Sequence, residues 1–287
     1  MVGKKIVFIL LMISVFGLNL YSSESHEFYG DKFRKAGEQY RAITEYYLAI
    51  FNKTNNCEKA DLYIKIAESY LLAKQNKSVL ENYDKADSLC KEKHDYILFL
   101  RGRYFFARGS YQLASMVWRR MTNNKRRELV LGLSKGLEGS KDEARDYLLR
   151  YADKNKGAAS KIKGIIDYMS SHNVKRKSPL LALGLSALIP GAGQIYTAHY
   201  GEAGMSLVVN GIFAFLAYNA LQRAKRIPNY GYTEFGFWSF VGFGFYTGNL
   251  YGAALSAQRY NINQVQIYQT GLIKEIKSSG FSLKIDF

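Results

Sequence analysis

The stretch Lys177-Ser178-Pro179-Leu180-Leu181-Ala182-Leu183-Gly184-Leu185-Ser186-Ala187-Leu188-Ile189-Pro190-Gly191-Ala192-Gly193-Gln194-Ile195-Tyr196 divides this sequence into two kinds of chain. Upstream of it, charges recur every few residues. Downstream, apolar runs follow at 203–221 and 235–257. A helix rises about 1.5 Å per residue, so about 20 apolar residues match the roughly 30 Å hydrocarbon core of a bilayer. The C-terminal third therefore reads as membrane-embedded. Pro190, Gly191 and Gly193 do not suit one straight helix. Proline removes a backbone donor, and glycine costs ~1 kcal/mol relative to alanine. In lipid the freed carbonyls need partners, and Gln194, Asn210 and Asn249 are the candidates. A broken or re-entrant first segment is expected.

Gly244, Gly248, Gly252 and Ser256 recur every four residues on one helix face. Small residues at that spacing let helix backbones touch inside a membrane. The stripe is expected to pack on the 203–221 helix or on a second copy of the chain, which would make a homo-oligomer.

Working back toward the N-terminus, charge is unevenly placed. The 287 residues carry a formal net charge of +16. Residues 26–100 are balanced, with 12 basic and 12 acidic side chains, whereas residues 101–178 carry 19 and 7. The basic excess thus leads into the membrane segment, where an anionic lipid surface attracts Lys and Arg at roughly 1 kcal/mol each. Nucleic acid is not expected, because no nucleic-acid motif or interleaved aromatic pattern accompanies the charge.

Lys4 and Lys5 followed by the apolar run 6–20 and by Ser23-x-Ser25 read as an export signal, or as an uncleaved anchor. Either reading sends the following residues across the inner membrane of a bacterial cell. Cys57 and Cys90 are the only cysteines. In an exported domain they form one disulfide or remain two small buried side chains, and two are too few for a four-ligand structural zinc site.

Residues 26–154 carry an internal repeat. The first unit has Tyr29-Gly30-x-x-Phe33, then Ala42-x-x-x-Tyr46-x-x-Ala49. The second has Ile66-Ala67-x-x-Tyr70, then Val79-x-x-x-Tyr83-x-x-Ala86. The third has Arg101-Gly102-x-x-Phe105, then Ala114-x-x-x-Trp118. A weaker fourth has Gly132, Gly139 and Ala144-x-x-x-Leu148-x-x-Tyr151. Small residues let two helices approach, and aromatics nearby fill the remaining gap. A single hairpin cannot bury its apolar face, so neighbours must stack.

The pattern resembles the tetratricopeptide repeat. Units anchored at 30, 67, 102 and 132 are spaced by 37, 35 and 30 residues. The resemblance implies a superhelix of helical hairpins whose concave face binds a protein or peptide. A rigid spacer is the plainer role for such an array. The run Ser186-Ala187-x-x-Pro190-Gly191-x-Gly193-Gln194-x-Tyr196 resembles a motif of small bacterial membrane proteins of uncharacterised function. That resemblance implies a fold of two hydrophobic helices behind the motif and no activity. Ala198-His199-Tyr200 departs from it, since an Asn-Gly turn is usual there.

The expected fold is all-α. Residues 1–25 are a signal or anchor, 26–154 the repeats, 155–178 a basic linker, 179–260 a membrane domain of two or three spanning helices, and 261–287 a tail. Within the linker, 158–169 has helical spacing with Ile162, Ile165, Ile166 and Met169 on one face. It is expected to cap the repeats. The tail alternates from 280 to 287 like a strand and ends in Phe287, a feature shared with outer-membrane barrels, but the upstream segments have helical length. Arg223 and Arg226 bound a basic loop that the positive-inside rule places in the cytoplasm, which leaves the array in the periplasm when the first segment re-enters. If that segment spans instead, the array is cytoplasmic. The outer membrane is the second choice of location.

No catalytic constellation is present. His26, His94, His172 and His199 are scattered, and neither a metal-binding His-Glu-x-x-His nor a phosphate loop occurs. No cofactor or metal and no enzymatic activity is expected. A membrane-anchored interaction scaffold is the leading expectation. A small transport or insertion-type protein with Glu202 on a polar path is the alternative.

Overall fold

The computed structural model describes residues 25–122 and 125–281. The stretch through residue 24, expected to be a signal or anchor, and the tail from 282 onward lie outside these. All regular elements among the described residues are helices. The chain divides into two compact units with the boundary between Ala159 and Ser160.

The first unit holds α1 (His26–Lys35), α2 (Gln39–Phe51), α3 (Asn56–Leu72), α4 (Asn76–Leu89), α5 (His94–Ala107), α6 (Tyr111–Arg119), α7 (Arg127–Glu138) and α8 (Lys141–Lys154). They pair as four consecutive hairpins: α1 with α2, α3 with α4, α5 with α6, α7 with α8. The unequal spacing between units does not enter the hairpins themselves. Gly30, Ala67, Gly102 and Gly132 are buried, and twelve residues after each comes Ala42, Val79, Ala114 or Ala144, fully buried. Sixteen residues after each comes Tyr46, Tyr83, Trp118 or Leu148, none more than 2% exposed. A Cβ on Gly30 would lie 2.5 Å from the Tyr46 ring, and one on Gly132 would lie 2.6 Å from Leu148. The small residue is therefore a seat for the large one.

Seven residues after each small residue the backbone turns left-handed, at Gly37, Lys74, Gly109 and Gly139. The following N–H closes each first helix: Glu38 N donates to Phe33 O, Gln75 N to Tyr70 O, Ser110 N to Phe105 O and Ser140 N to Lys135 O, all within 2.9–3.0 Å. This is the helix-ending motif that favours glycine, and only the second hairpin uses another residue.

Neighbouring hairpins share their cores. Tyr46, Ala42 and Ala49 of α2 pack with Leu62 and Ile66 of α3. Ala67, Tyr83 and Ala86 join one cluster with Ala114 and Trp118. Tyr70 is half-buried against both clusters. Burial of apolar surface at ~25 cal/mol per Å² is the main stabilising term here. Charge clasps add register: Arg34 bonds Glu68 at 2.6 Å, and Arg101 bonds Asp84 at 2.8 Å. Cys57 at the start of α3 and Cys90 at the end of α4 are joined by a disulfide, with Cα atoms 4.9 Å apart.

The second unit holds α9 (Ala159–Ser171), α10 (Pro179–Leu188), α11 (Ala192–Tyr196), α12 (Tyr200–Arg226) and α13 (Thr233–Ser278). Three expectations are corrected. Residues 155–178 are not a plain linker, because α9 occupies half of them and buries Ile162, Ile165 and Met169. Nor does α9 group with the repeats. It lies along the end of α13, with the Tyr168 ring 6.2 Å from Tyr268 and its hydroxyl over Gly271. The division at 260 also fails, since α13 runs unbroken for 46 residues to Ser278. The stretch 280–287, expected from its alternation to be a strand, lies outside the described residues beyond Phe281.

The first apolar segment is broken. Ser178 caps α10, its Oγ accepting Leu181 N at 3.2 Å, and Pro179 takes the first helical position, where no donor is lost. Ile189 is extended, Gly191 is left-handed at φ +95°, and α11 adds only five residues. Among the described helices, α12 is the one long and apolar enough to cross a membrane. Only 6% of its most apolar stretch is buried within the chain. The ten residues of α10 are too few, and Tyr, Thr, Asn and Gly dilute the apolar half of α13.

Candidate functional site

The Pro190-Gly191-x-Gly193-Gln194 motif builds a buried polar knot among α10, α11, α12 and α13. Gln194 is 2% exposed. Its Oε1 accepts from Ser186 Oγ at 2.9 Å, and its Nε2 donates to Asn249 Oδ1 at 3.2 Å and Ser206 Oγ at 3.3 Å. Gly193 N donates to Ser186 Oγ at 2.9 Å, and Gly191 N donates to Asn249 Oδ1 at 3.2 Å. Asn249 Nδ2 returns to Ser186 O at 3.4 Å. Below the knot, Thr197 and Ser256 hydroxyls meet at 2.7 Å.

The two glycines are required by backbone approach. A Cβ on Gly193 would lie 1.9 Å from Ala182 O, and one on Gly191 would lie 2.5 Å from Ala203 O. Carbonyls cannot yield as a side-chain tip can. The broken segment thus satisfies its freed backbone with Gln194 and Asn249, the requirement set by a low-dielectric surround. Asn210 takes no part, because its amide donates to Ser206 O on its own helix. The amides and hydroxyls of the knot are spent on one another, so its chemistry is that of a structural clasp. Pro190 precedes the clasp half-buried, and the Tyr196 hydroxyl accepts from Ser178 N at 3.3 Å.

Lys177 completes this end of the unit. Its N–H and C=O both bond the Asn261 amide, at 2.7 and 2.8 Å. Its ammonium lies 4.4 Å from the Tyr260 ring centre and 5.0 Å from that of Tyr196. The turn after α11 places Ala198 at φ +63°. A left-handed position there is what an Asn-Gly turn would accommodate without strain.

The glycine stripe does not pack on α12. A Cβ on Gly244 or Gly248 would meet nothing within 4 Å, and Gly252 approaches only Gln194 Nε2, at 3.6 Å. Ser256 is fully buried, in the Thr197 contact. The three glycines instead floor an open groove of about 910 Å³ between α12 and α13. Met205, Val209, Val241 and Phe245 form its walls, with Glu202, Ser206 and Asn210 along one side. Glu202 is paired with Arg259 of α13 at 2.6 Å, so its charge is neutralised in place.

On the first unit, the first helices of the hairpins carry a ladder of polar contacts. Lys65 Nζ bonds Asp31 at 2.9 Å and Glu27 at 3.0 Å, and Tyr46 Oη donates to Asp31 at 2.7 Å. Partial burial would push the Asp31 carboxyl up, but hydrogen bonds from Lys65 and Tyr46 prevail and hold it below its ordinary value. Burial and the bond to Asp31 push the Tyr46 phenol well up. Tyr96 stands half-exposed on α5, with Lys93 bonding Asp61 at 2.6 Å nearby in sequence. Cys57, Cys90 and Glu92 bring ligand-type atoms within 4.8 Å of one another, but the bonded sulfurs have no thiolate to offer a metal.

Sequence reasoning named Ser186, Gln194 and the glycines of the motif, and Asn249 as a partner, but not Thr197 or Ser206. Small polar residues inside apolar segments were the available signal. Comparison with protein-family models found no match, and comparison with curated proteins found none.

Proposed function

We propose that this chain is a membrane-anchored interaction scaffold. Its tetratricopeptide-like array would hold a protein or peptide partner, and the Gln194-clasped unit would tether that array to the inner membrane with the array in the periplasm. The observation that carries this reading is the fixed register of the four hairpins, small residue to large residue at sixteen, whatever the length of chain between them. Stacked hairpins of this kind present extended surfaces rather than enclosed sites. The disulfide fits an oxidising compartment, and the outward apolar surface of α12 fits lipid. Two or three lipid-facing segments would form the anchor, with α12 spanning.

A photo-crosslinking amino acid at Tyr96, in the full chain in intact cells, tests the partner. A discrete protein adduct from Tyr96 supports the scaffold. Absence of adducts across α1, α3 and α5, with adducts from the groove between α12 and α13, would overturn it. Sidedness follows from external protease on spheroplasts, where cleavage within 26–154 is expected.

The groove favours a second reading, a transport or insertion-type protein. Ser206 and Asn210 would then line a polar path. Loss of transport in Asn210→Leu with partner capture intact would support it.

A further inference from the structure

We propose that α6 is a docking surface for anionic phospholipid. Between Asp95 and Glu128 the chain has no acidic residue, while it carries Arg101, Arg103, Arg108, Arg119, Arg120, Lys125, Arg126 and Arg127. The structure shows how this run is presented. Trp118, Ala114 and Ser115 point α6 inward, and Trp118 Nε1 donates to Phe99 O at 3.1 Å, which fixes the rotation of the helix. The opposite side must then face out. There Leu113 is 47% and Met116 57% exposed, with Arg119 and Arg120 exposed at the end of the same helix.

Some of the cations are already engaged. Arg101 pairs with Asp84, and Glu143 reaches Arg119 only at 3.9 Å. Arg120 and Lys125 are exposed with no carboxylate partner among the described residues, and Arg108 stacks over the Tyr104 ring at 4.8 Å. The face therefore combines an apolar pair with Arg120, which follows Met116 by one helical turn, and Lys125 lies five residues further on in the chain. Apolar side chains that enter the boundary between headgroups and acyl chains, beside arginines that meet phosphates, are the chemistry of a helix lying on anionic lipid. A nucleic acid would stack its bases on aromatics between the cations, and this face offers leucine and methionine instead. An acidic peptide would leave Leu113 and Met116 unused. The inference needs the chain to sit at a membrane, and does not need the partner of the array.

The test uses the full chain with Met116→Cys. Cys57 and Cys90 are bonded to each other, so the new thiol is the only one to label among the described residues. An environment-sensitive fluorophore is attached, and the protein is reconstituted in nanodiscs of phosphatidylcholine alone or mixed with phosphatidylglycerol. Blue-shifted emission and quenching by lipid-borne quencher are expected only with phosphatidylglycerol, reversed by high salt. Arg120→Glu with Lys125→Glu should weaken binding to the phosphatidylglycerol surface roughly six-hundredfold, since each surface cation is worth about fivefold and charge reversal squares that factor at each site. Equal emission in both lipids would overturn the proposal. So would a shift produced by an oligonucleotide or an acidic peptide in phosphatidylcholine discs but not by phosphatidylglycerol. Leu113→Cys, equally outward, repeats the measurement if the first label perturbs folding.

Discussion

A Cβ on Gly102 would lie 2.0 Å from the indole nitrogen of Trp118. That nitrogen is already committed to the Phe99 carbonyl, so the ring cannot slide aside without losing a buried hydrogen bond. Gly102→Ala is expected to cost about 1–3 kcal/mol by overpacking. The second hairpin solves the same problem with Ala67 and Tyr83, so Gly102→Ala with Trp118→Tyr should recover part of the loss. Thermal unfolding of the purified chain reads both. An unchanged midpoint for the single variant would refute the seat-and-ring account.

Lys74 occupies the left-handed turn that glycine fills in the other three hairpins, at φ +61°. A side chain there costs roughly 1–2 kcal/mol, offset in part by the greater freedom of glycine in the unfolded chain. Lys74→Gly should raise the unfolding midpoint, and Gly37→Ala should lower it. Ala198→Gly should act like Lys74→Gly for the same reason. Movement in the opposite direction at Lys74 would argue against the turn geometry.

The Cys57–Cys90 bond closes a segment with a sequence separation of 33. Chain-entropy arguments give roughly 3–4 kcal/mol for a loop of this size. Reduction, or Cys57→Ser with Cys90→Ser, should lower the unfolding midpoint. Before reduction, a thiol-specific label should not react in the unfolded chain. Full labelling without reductant would show that the bond does not form.

Within the second unit, Gly193→Ala is expected to be severe, because the added methyl meets the Ala182 carbonyl at 1.9 Å. Gly236→Ala, where a methyl meets nothing within 4 Å, should be neutral or slightly stabilising on a helix. Gln194→Leu should cost about 1–3 kcal/mol by leaving buried partners unpaired. Thermal scans in detergent compare the three. Equal midpoints for the Gly193 and Gly236 variants would dissolve the idea of a clasp.

Asp31 gives a pH signature. Its folded value is depressed, so its contribution is fully present above about pH 4, the ordinary carboxylate range, and fades as pH falls through the folded value. Asp31→Asn should flatten the acid limb of a stability–pH curve and leave the neutral region parallel. The check is a set of denaturant titrations across that limb. A limb of unchanged slope would place the acid sensitivity on other carboxylates.

The hairpins were legible because their register is local: Gly30, Ala42 and Tyr46 lie within one unit, and packing repeats it at 67, 79 and 83. Lys74 was not, since lysine carries no turn signal and its conformation is imposed by the Gln75-to-Tyr70 bond. The motif around Gln194 was readable as a break in a helix. Its partners were only half readable, because a buried polar side chain is satisfied by whatever the fold brings near, and Asn249 is 55 residues away. The length of α13 escaped for a different reason. Its composition turns from aromatic to polar near Ala257, and a change of solvent looks like an end of structure when only the helix face has changed.

Because α13 has no proline and no break through its 46 residues, it is a rod of roughly 69 Å at the usual rise, more than twice the hydrocarbon thickness. One continuous helix thus carries both Asn249, whose amide holds Gly191, and Gly271, which lies under the Tyr168 hydroxyl, about 33 Å apart along its axis.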